Sequence, residues 1–378
     1  MPATETINRF LASWNDTNDK ILVHTSGSTG KPKPLWVEKR RMLASARITC
    51  DFLGLKEGDT ALLCLSTDYI AGKMMVVRAL ERKMRLITVK PSGHPLVSVE
   101  QPIDFAAMVP MQVYNTLQVL EERDKLMNIR HLIIGGGAID DDLAQALKDF
   151  PHFVWSTYGM TETLSHIALR RLNGAEASSY YVPFDGVDVS LNDDHCLVIH
   201  APHVCNEMII TNDIAEFGPD GRCFRILGRK NNVICSGGIK IQIEELERLL
   251  KPHIPVPFMV TKVKDEKFGE VGVLLLSDHR IVNSVVLRNV ECGVWSENTT
   301  EKQNILYEDS LTKSISHSTF HTPHSTFHIP HSTLPPYWSP RHTLFVDHLP
   351  MTATGKPARK EAEELARKLL EPQDNTPF

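Results

Sequence analysis

The feature that most constrains the fold is the alternation of helix-like and strand-like apolar segments before residue 160. Apolar residues recur at helical spacing in three segments and form short continuous runs in four others. The helix-like segments are 37–53, 69–83 and 140–150, and the strand-like segments are 61–66, 84–89, 131–137 and 152–159. This order predicts an α/β fold, a layered domain whose ligand-binding loops follow the strands.

The pattern changes after this domain. Short β-like runs between 188 and 224 predict a β-rich subdomain that closes the first domain. We expect an N-terminal domain over 1–228 and a small, mobile α+β domain over 229–378. A low-complexity insertion near 281–340 interrupts the second domain, and its degenerate repeat at 317–337 is rich in His and Pro. The repeat is read either as a disordered tract or as a metal-binding one.

Composition narrows the class of protein. The net charge of −5 argues against general binding to nucleic acids or anionic membranes, because both need a broad cationic surface. The seven cysteines form no CxxC pair, which predicts reduced thiols in a cytoplasmic protein. The chain shows neither a signal segment nor an apolar run of about 18 residues, so no membrane span is expected.

The segment at 25–33, TSGSTGKPK, has the residue types that hold phosphate. Its hydroxyls and main-chain amides donate hydrogen bonds, its glycines let the backbone approach a ligand, and its lysines supply positive charge. It is not a P-loop, because only two residues separate Gly27 from Gly30 and Pro32 follows Lys31. A solvated surface turn is the alternative on this segment alone.

Three further segments follow in a fixed order: STYGMTET at 156–163, a long stretch from Thr211 to Ile241, and LPMTATGKPARKE at 349–361. Together with the segment at 25–33, they resemble the adenylate-forming (AMP-binding) family of acyl-CoA ligases, adenylation domains and luciferases. The resemblance implies an acid–thiol ligase that uses ATP and Mg²⁺ and takes a carboxylic acid and CoA as substrates. The order of the motifs, rather than any one of them, carries this inference.

The resemblance also implies roles for individual residues. Glu162 matches the magnesium-binding carboxylate, Thr161 the hydroxyl on the α-phosphate, and Lys356 the lysine that bridges the attacking carboxylate and the phosphate. For Tyr158 the alternative is a core aromatic, and for Lys356 a surface lysine. The implied ATP and AMP contacts are Thr25, Ser26, Gly27, Ser28, Thr29, Gly30, Lys31, Gly136, Gly137, Tyr158, Gly159, Asp213 and Arg229.

Two features of the second domain follow from the same resemblance. Ser236, Gly237 and Gly238 match the segment that meets the pantetheine of CoA after the domain rotates, with a plain hairpin as the alternative. Asn231 falls where the family's hinge residue stands, although the family usually has Asp or Lys there. The hinge role of Asn231 is therefore left open.

A finer resemblance concerns the acid. The sequences of the segments 33–46, 66–80 and 158–170 are similar to those of the short 2-succinylbenzoate CoA ligases of bacterial menaquinone biosynthesis. Relative to the family, the N-terminal domain is truncated. The acid would be held by Tyr69, Gly72, Lys73 and His166, with Arg78 and Arg170 as further candidate cations for a second carboxylate.

Two other functions stay open from the sequence. One is a CoA ligase for another aryl or acyl acid, and the other is a catalytically degenerate binding protein. Thr161, Glu162, Asp213, Arg229 and Lys356 are all present, which argues against degeneration. The oligomeric state and the purpose of the repeat are not predicted.

Overall fold

The computed structural model of the protein describes residues 3–24, 34–277, 290–291, 334–352 and 356–371. The chain divides into two compact units. Unit 1 is Met1–Ile226 with Thr354–Lys356, and unit 2 is Leu227–Ala353 with Pro357–Phe378. Both combine helices with sheets, so the predicted α/β class is confirmed.

A seven-stranded sheet forms the centre of unit 1, in the order β4-β3-β5-β6-β7-β8-β9. Neighbouring strands from β4 to β7 are parallel, and β8 and β9 are added antiparallel. The strands are β3 (Thr60–Leu63), β4 (Arg85–Thr88), β5 (Phe105–Met108), β6 (His131–Ile134), β7 (Phe153–Gly159), β8 (His166–Arg171) and β9 (Val182–Pro183). Every residue of β3, β5 and β6 is buried, as expected of strands covered on both faces.

Helices pack on this sheet. They are α1 (Ala3–Asn15), α2 (Lys39–Leu53), α3 (Ile70–Arg82), α4 (Pro110–Leu117), α5 (Leu120–Met127) and α6 (Asp141–Leu147). Two apolar clusters of buried residues lie in unit 1; Leu63, Phe105 and Ile133 belong to one, and Leu62, Ala106 and Leu132 to the other. Successive strand residues alternate between these clusters, because side chains point to opposite faces of a sheet.

Two smaller sheets complete this part of the chain. The hairpin strands β1 (Lys20–His24) and β2 (Pro34–Glu38) pair antiparallel, with His24 opposite Pro34. The β-like segments after residue 188 form a four-stranded sheet, which confirms the predicted β-rich subdomain. Its strands, in spatial order, are β10 (Asp188–Leu191), β11 (Cys196–His200), β12 (Ile209–Phe217) and β13 (Phe224–Arg229).

Unit 2 is a sheet with a helix on each face. The strands are β14 (Val233–Ser236), β15 (Ile239–Gln242), β16 (Phe258–Asp265), β17 (Gly269–Ser277), β18 (Val290–Glu291) and β19 (His342–Val346). Along β17, Leu274 and Leu276 join the cluster that contains α7 (Ile243–Leu250). Val273 and Leu275 join the cluster that contains α8 (Arg359–Leu370).

The last residues of the segment predicted as an insertion contact the rest of unit 2. Leu334 and Trp338 pack against the cluster under α7, and Arg341 N–H donates to the Gly272 carbonyl at 2.8 Å. Leu334 and Trp338 are partly buried, so this end of the segment packs on unit 2. The repeat itself lies mostly outside the described residues.

None of the described helices has both the length and the apolar character that a membrane span requires.

Candidate active site

Parallel strands bring several of the predicted site residues to one edge of the large sheet. The segments 64–69, 135–137 and 160–165 follow β3, β6 and β7. Carboxyl ends of parallel strands lie along the same edge, and ligands of open α/β sheets bind there. Residues far apart in sequence are therefore placed along one edge.

The glycines after β6 allow the backbone to pack closely. A Cβ atom at Gly135 would lie 2.2 Å from Thr157 Oγ1, and Gly136 has φ +81°, a left-handed conformation that favours glycine. The ideal Cβ of Gly137 would touch the ring of Pro110, at 3.4 Å. The result is a compact strip of exposed main chain at the sheet edge.

A hydrogen bond joins the large sheet to the β-rich subdomain. The Tyr158 hydroxyl on β7 donates to Asp213 Oδ2 on β12 at 2.7 Å. The Tyr158 ring meets Phe224 edge-on with centroids 5.1 Å apart, and Tyr181 at 5.7 Å. This contact fixes the Asp213 carboxylate above the sheet edge, a position that the sequence alone did not specify. Tyr158 is therefore a packed aromatic as well as a predicted site residue.

A tight turn follows β7. A Cβ at Gly159 would lie 2.2 Å from the Ser165 carbonyl, so only glycine fits there. The Thr163 hydroxyl accepts from Met160 N–H at 3.0 Å and donates to the Ser165 carbonyl at 2.7 Å. Leu164 has φ +66°, which is strained for a bulky residue, and its N–H donates to the Thr161 carbonyl. The turn buries Thr161 and exposes Glu162.

The predicted acid-binding residues do not form one cluster. Tyr69 precedes α3 and is 44% exposed, and Gly72 packs with its Cα against the Ser66 carbonyl. Lys73 is buried, and its ammonium donates to the carbonyls of Thr67 at 2.6 Å and Asp68 at 3.1 Å. Burial lowers the pKa of Lys73, and Asp68 acts in the opposite direction. Lys73 therefore stabilises the loop after β3.

His166 corrects a second part of that expectation. It is buried, with Nε2 3.0 Å from Thr49 Oγ1 and Nδ1 3.2 Å from Ser165 Oγ. Burial, and next the charge of Arg78, hold the pKa of His166 well below its ordinary 6.5. The imidazole is thus neutral at pH 7, so the expected positive charge on this residue is absent.

Arg78 supplies the buried charge instead. It is 1% exposed, and its guanidinium donates to Ser165 Oγ at 2.7 Å and approaches Thr49 Oγ1 at 3.5 Å. Burial lowers the pKa of Arg78 to about 10, which still leaves it protonated at pH 7. In the part of the chain that the structure describes, no carboxylate pairs with it and its Nε has no partner.

Lys73 and Arg78 face different ways because they are five positions apart on α3, about 140° around the helix axis. Arg78 stands in the apolar stretch MMVVRAL, and an arginine between apolar neighbours is a sign of a buried charge. The hydroxyls of Thr49 and Ser165, which surround it, carry no sequence signal of their own.

The remaining predicted residues lie elsewhere. Thr25, Ser26, Gly27, Ser28, Thr29, Gly30 and Lys31 fall outside the described residues, in the connection between β1 and β2. In unit 2, Arg229 ends β13, and Ser236 pairs with Ile239 across the two-residue turn Gly237–Gly238. Both glycines have positive φ, +57° and +86°, so the predicted segment is a tight hairpin. Lys356 precedes the bridge between Met351 and Pro357.

Comparison with known proteins identifies the family. The model of the family described as AMP-binding enzyme matches residues 10–211, more than half of the chain. The chain belongs to the AMP-binding enzyme family. It is an acid–thiol ligase, and the predicted family and enzyme class are confirmed.

Relatives of this AMP-binding enzyme include the 2-succinylbenzoate–CoA ligase of Bacillus mycoides, 23% identical over 92% of this chain and 70% of that protein. An acyl-CoA synthetase (AMP-forming)/AMP-acid ligase II-like protein of Dyadobacter fermentans is 28% identical, with a TM-score of 0.58. That alignment covers 97% of this chain and 95% of the other.

A third protein is similar in fold. The O-succinylbenzoate coenzyme A synthetase of Bacillus subtilis, solved in complex with ATP and magnesium ion, has a TM-score of 0.65 at 19% identity. The match covers 90% of this chain and 69% of that one.

Proposed function

We propose that this enzyme activates 2-succinylbenzoate with ATP as an acyl adenylate and transfers the acyl group to CoA, with release of pyrophosphate and AMP. The reaction is a step of menaquinone biosynthesis, and we place it in the cytoplasm. The observation that carries the choice of acid is the buried, uncompensated charge of Arg78. The names of the relatives from Bacillus support the same choice.

The nucleotide half of the proposal uses the sheet edge. Asp213, held by Tyr158 at 2.7 Å, would accept hydrogen bonds from the ribose hydroxyls, with Arg229 assisting. Gly136 and Gly137 offer main chain close to adenine, and the ring of Tyr158 covers it. The segment 25–33 would hold the outer phosphates, as its hydroxyls, amides and lysines suggest.

The donor set near Glu162 fits Mg²⁺. Among the residues that the structure describes, no group of three or more His, Cys, Asp or Glu could enclose a metal ion. Mg²⁺ is commonly bound by one or two carboxylates together with substrate phosphates and waters, so one exposed carboxylate is sufficient here. When bound, the ion would offset the charge of the triphosphate, and Glu162 would orient it.

The chemistry requires two anions to meet. The acid carboxylate attacks the α-phosphorus, and its negative charge is then shared with the phosphate oxygens while pyrophosphate leaves. The Lys356 ammonium would lie between carboxylate and phosphate and stabilise that charge in the transition state. Thr161 would donate its hydroxyl to an α-phosphate oxygen.

Arg78 would meet the second carboxylate of the acid. Its guanidinium is already ordered by the hydroxyls of Ser165 and Thr49, which the neutral His166 holds in turn, so little freedom is lost on binding. A carboxylate suits it, because the planar guanidinium presents a fork of donors to two oxygens. A monocarboxylic acid would leave this charge buried and unpaired, which disfavours such an acid.

CoA would enter beside the hairpin of Ser236, Gly237 and Gly238. Glycine at both turn positions leaves the main chain uncovered, which allows a narrow pantetheine arm to approach it. The thiol then loses its proton to water as its sulfur attacks the acyl carbonyl, the bond between the acyl carbon and the phosphate oxygen breaks, and AMP leaves. Close approach of a backbone to a ligand is a common use of paired glycines.

A panel of acids tests the proposal. Acid-dependent exchange of pyrophosphate into ATP should be fastest with 2-succinylbenzoate and much slower with benzoate, which has the ring but only one carboxylate. Exchange with benzoate alone would assign a different aryl acid. Absence of exchange with every acid would favour a degenerate binding protein.

The Lys356→Ala variant tests the mechanism. We expect it to slow adenylation by on the order of a hundredfold or more, since the ammonium acts on charge that develops in the transition state. Thioester formation from pre-formed acyl adenylate and CoA should change far less. Equal loss in both steps would contradict the role proposed for Lys356.

A further inference from the structure

The start of α8 is held by a bidentate ion pair. Arg359, the first residue of α8, donates from Nη1 to Glu247 Oε1 and from Nη2 to Glu247 Oε2, both at 2.6 Å. The two side chains are 19% and 22% exposed. Two parallel hydrogen bonds between charged groups fix direction as well as distance.

The same pair engages the main chain of β16. Val260 N–H donates to Glu247 Oε1 at 2.8 Å, and Arg359 Nη1 donates to the Val260 carbonyl at 2.8 Å. Glu247, Val260 and Arg359 therefore close a ring of hydrogen bonds that connects α7, β16 and α8. Because Val260 is held at both its polar atoms, displacement of either side chain would break several bonds together.

Lys356 lies three residues before Arg359. The two residues between them also have contacts of their own: Pro357 forms a β-bridge with Met351, and Ala358 N–H donates to the Pro350 carbonyl at 2.9 Å. Little chain thus separates the proposed catalytic lysine from the ion pair. The main chain after Lys356 is therefore fixed by the contacts of Pro357 and Ala358 and, one residue further on, by the ion pair of Arg359.

We propose that Glu247 and Arg359 form a positioning pair that sets the location of Lys356 for adenylation. This inference rests on the role proposed above for Lys356. Neither residue touches the reacting atoms, and both act through the main chain between 357 and 359. Adenylation is sensitive to such a shift, because the lysine must stand between two reacting anions.

Apolar packing of α8 on the sheet does not by itself fix the position of the helix start, which the Glu247–Arg359 pair does. Ala362 and Ala366 bury the next turns of the helix against Met259, Leu275 and Leu344. Leu365, Leu369 and Leu370 add partly buried apolar contacts, which are not directional, whereas the bidentate pair determines one position for the helix start.

The test is Arg359→Lys, which keeps the charge and loses the two-pronged geometry. We expect kcat for pyrophosphate exchange to fall about tenfold, with KM for ATP within about twofold, because misplacement affects the transition state more than binding. Thioester formation from pre-formed adenylate should stay within about twofold, since the Gly237 hairpin has its own hydrogen bond to the Phe268 carbonyl at 2.8 Å. Equal loss in both half-reactions, or a rise in KM without a fall in kcat, would overturn the proposal.

Three further variants make the result interpretable. Arg367→Lys is the matched control on the same helix, since its pair with Glu371 is more than half exposed, and it should leave both steps unchanged. Glu247→Gln keeps an acceptor for Val260 N–H and should show the same fall in kcat as Arg359→Lys. If Arg359→Lys does not fold, Glu247→Gln provides the test in its place. Lys356→Ala separates the two proposals: an inactive Lys356→Ala with an unaffected Arg359→Lys removes only the positioning pair.

Discussion

Two regions each hold a guanidinium largely out of solvent, and they differ in what neutralises its charge. Arg78 in α3 of unit 1 contacts the hydroxyls of Ser165 and Thr49, and no carboxylate within the described ranges pairs with it. Arg359 in α8 of unit 2 meets Glu247 through two hydrogen bonds. A buried charge without a counter-ion costs several kcal/mol, whereas removing one partner of an established pair is what destabilises a fold.

The comparison separates structural charge from functional charge. The counter-charge of Arg359 is part of the chain, so the pair contributes to the architecture of unit 2. In the proposed function the counter-charge of Arg78 would come from the second carboxylate of the acid, and Arg78 would then contribute to selectivity. The same residue type would serve two purposes, and only the surroundings distinguish them.

The largest expected effect is on selectivity. Arg78→Met should lower the preference for 2-succinylbenzoate over benzoate, measured as the ratio of their kcat/KM values, by about a hundredfold, since a buried charge-assisted contact is worth about 2–5 kcal/mol. Arg47→Met is the control, because this arginine pairs with Glu81 at the surface. An unchanged ratio in Arg78→Met would remove Arg78 from the acid site and end the comparison.

A smaller effect is expected on the free energy of unfolding, and it should differ in direction between variants of Arg359 and of Arg78. Arg359→Met should lower the free energy of unfolding by about 2 kcal/mol, because it leaves Glu247 without its partner in a partly buried site. Arg78→Met should leave it unchanged or raise it by about 1 kcal/mol, because it removes an uncompensated charge. Urea unfolding measures both, and a similar loss in the two variants would contradict the distinction.

The smallest expected effect is on the pH dependence of the free energy of unfolding, which tests whether His166 is neutral in the folded protein. Its pKa is lowered in the folded protein by burial and then by Arg78, so below about pH 6.5 the unfolded state binds the proton more tightly. Stability contributed by the neutral imidazole is present above that pH and is lost as pH falls, by at most about 1.4 kcal/mol per pH unit.

The measurement is urea unfolding at pH 5, 6 and 7 for the wild type and His166→Gln. The variant should show a shallower loss of stability between pH 7 and pH 5, because glutamine does not titrate. Identical slopes would mean that His166 is accessible to protons in the folded protein. The groups that face the His166 imidazole are the charged Arg78 and the hydroxyls of Ser165 and Thr49.

Much of the fold could be predicted from the sequence. Runs such as 131–134 and 272–277 are apolar over short lengths and became buried strands, and the spacing in 243–250 became α7. Element limits were less certain: Val37 and Glu38, expected in a helix, end β2. Local pattern determines element type well, but strand pairing and caps decide where an element stops.

Less of the site could be predicted. Tyr158, Asp213 and the glycines after β6 were proposed from motifs, and the structure adds the hydrogen bond between the first two. The charge of His166 was wrong, because it depends on burial and on Arg78, which is far away in sequence. Glu247 and Arg359 were missed because they are 112 positions apart, and neither lies in a segment that suggested a pair.

The sequence by itself determined the α/β class, the order of the motifs and the residue types that the chemistry needs. The fold class depends on local periodicity, and the motifs are short segments that can be recognised without knowledge of their tertiary contacts. Only the tertiary structure decided which charges are paired, because burial and counter-ions come from segments that the fold brings together. Arg78 and Arg359 look alike in a list of residues. What distinguishes them is that Glu247 pairs with Arg359, whereas no carboxylate among the residues that the structure describes pairs with Arg78.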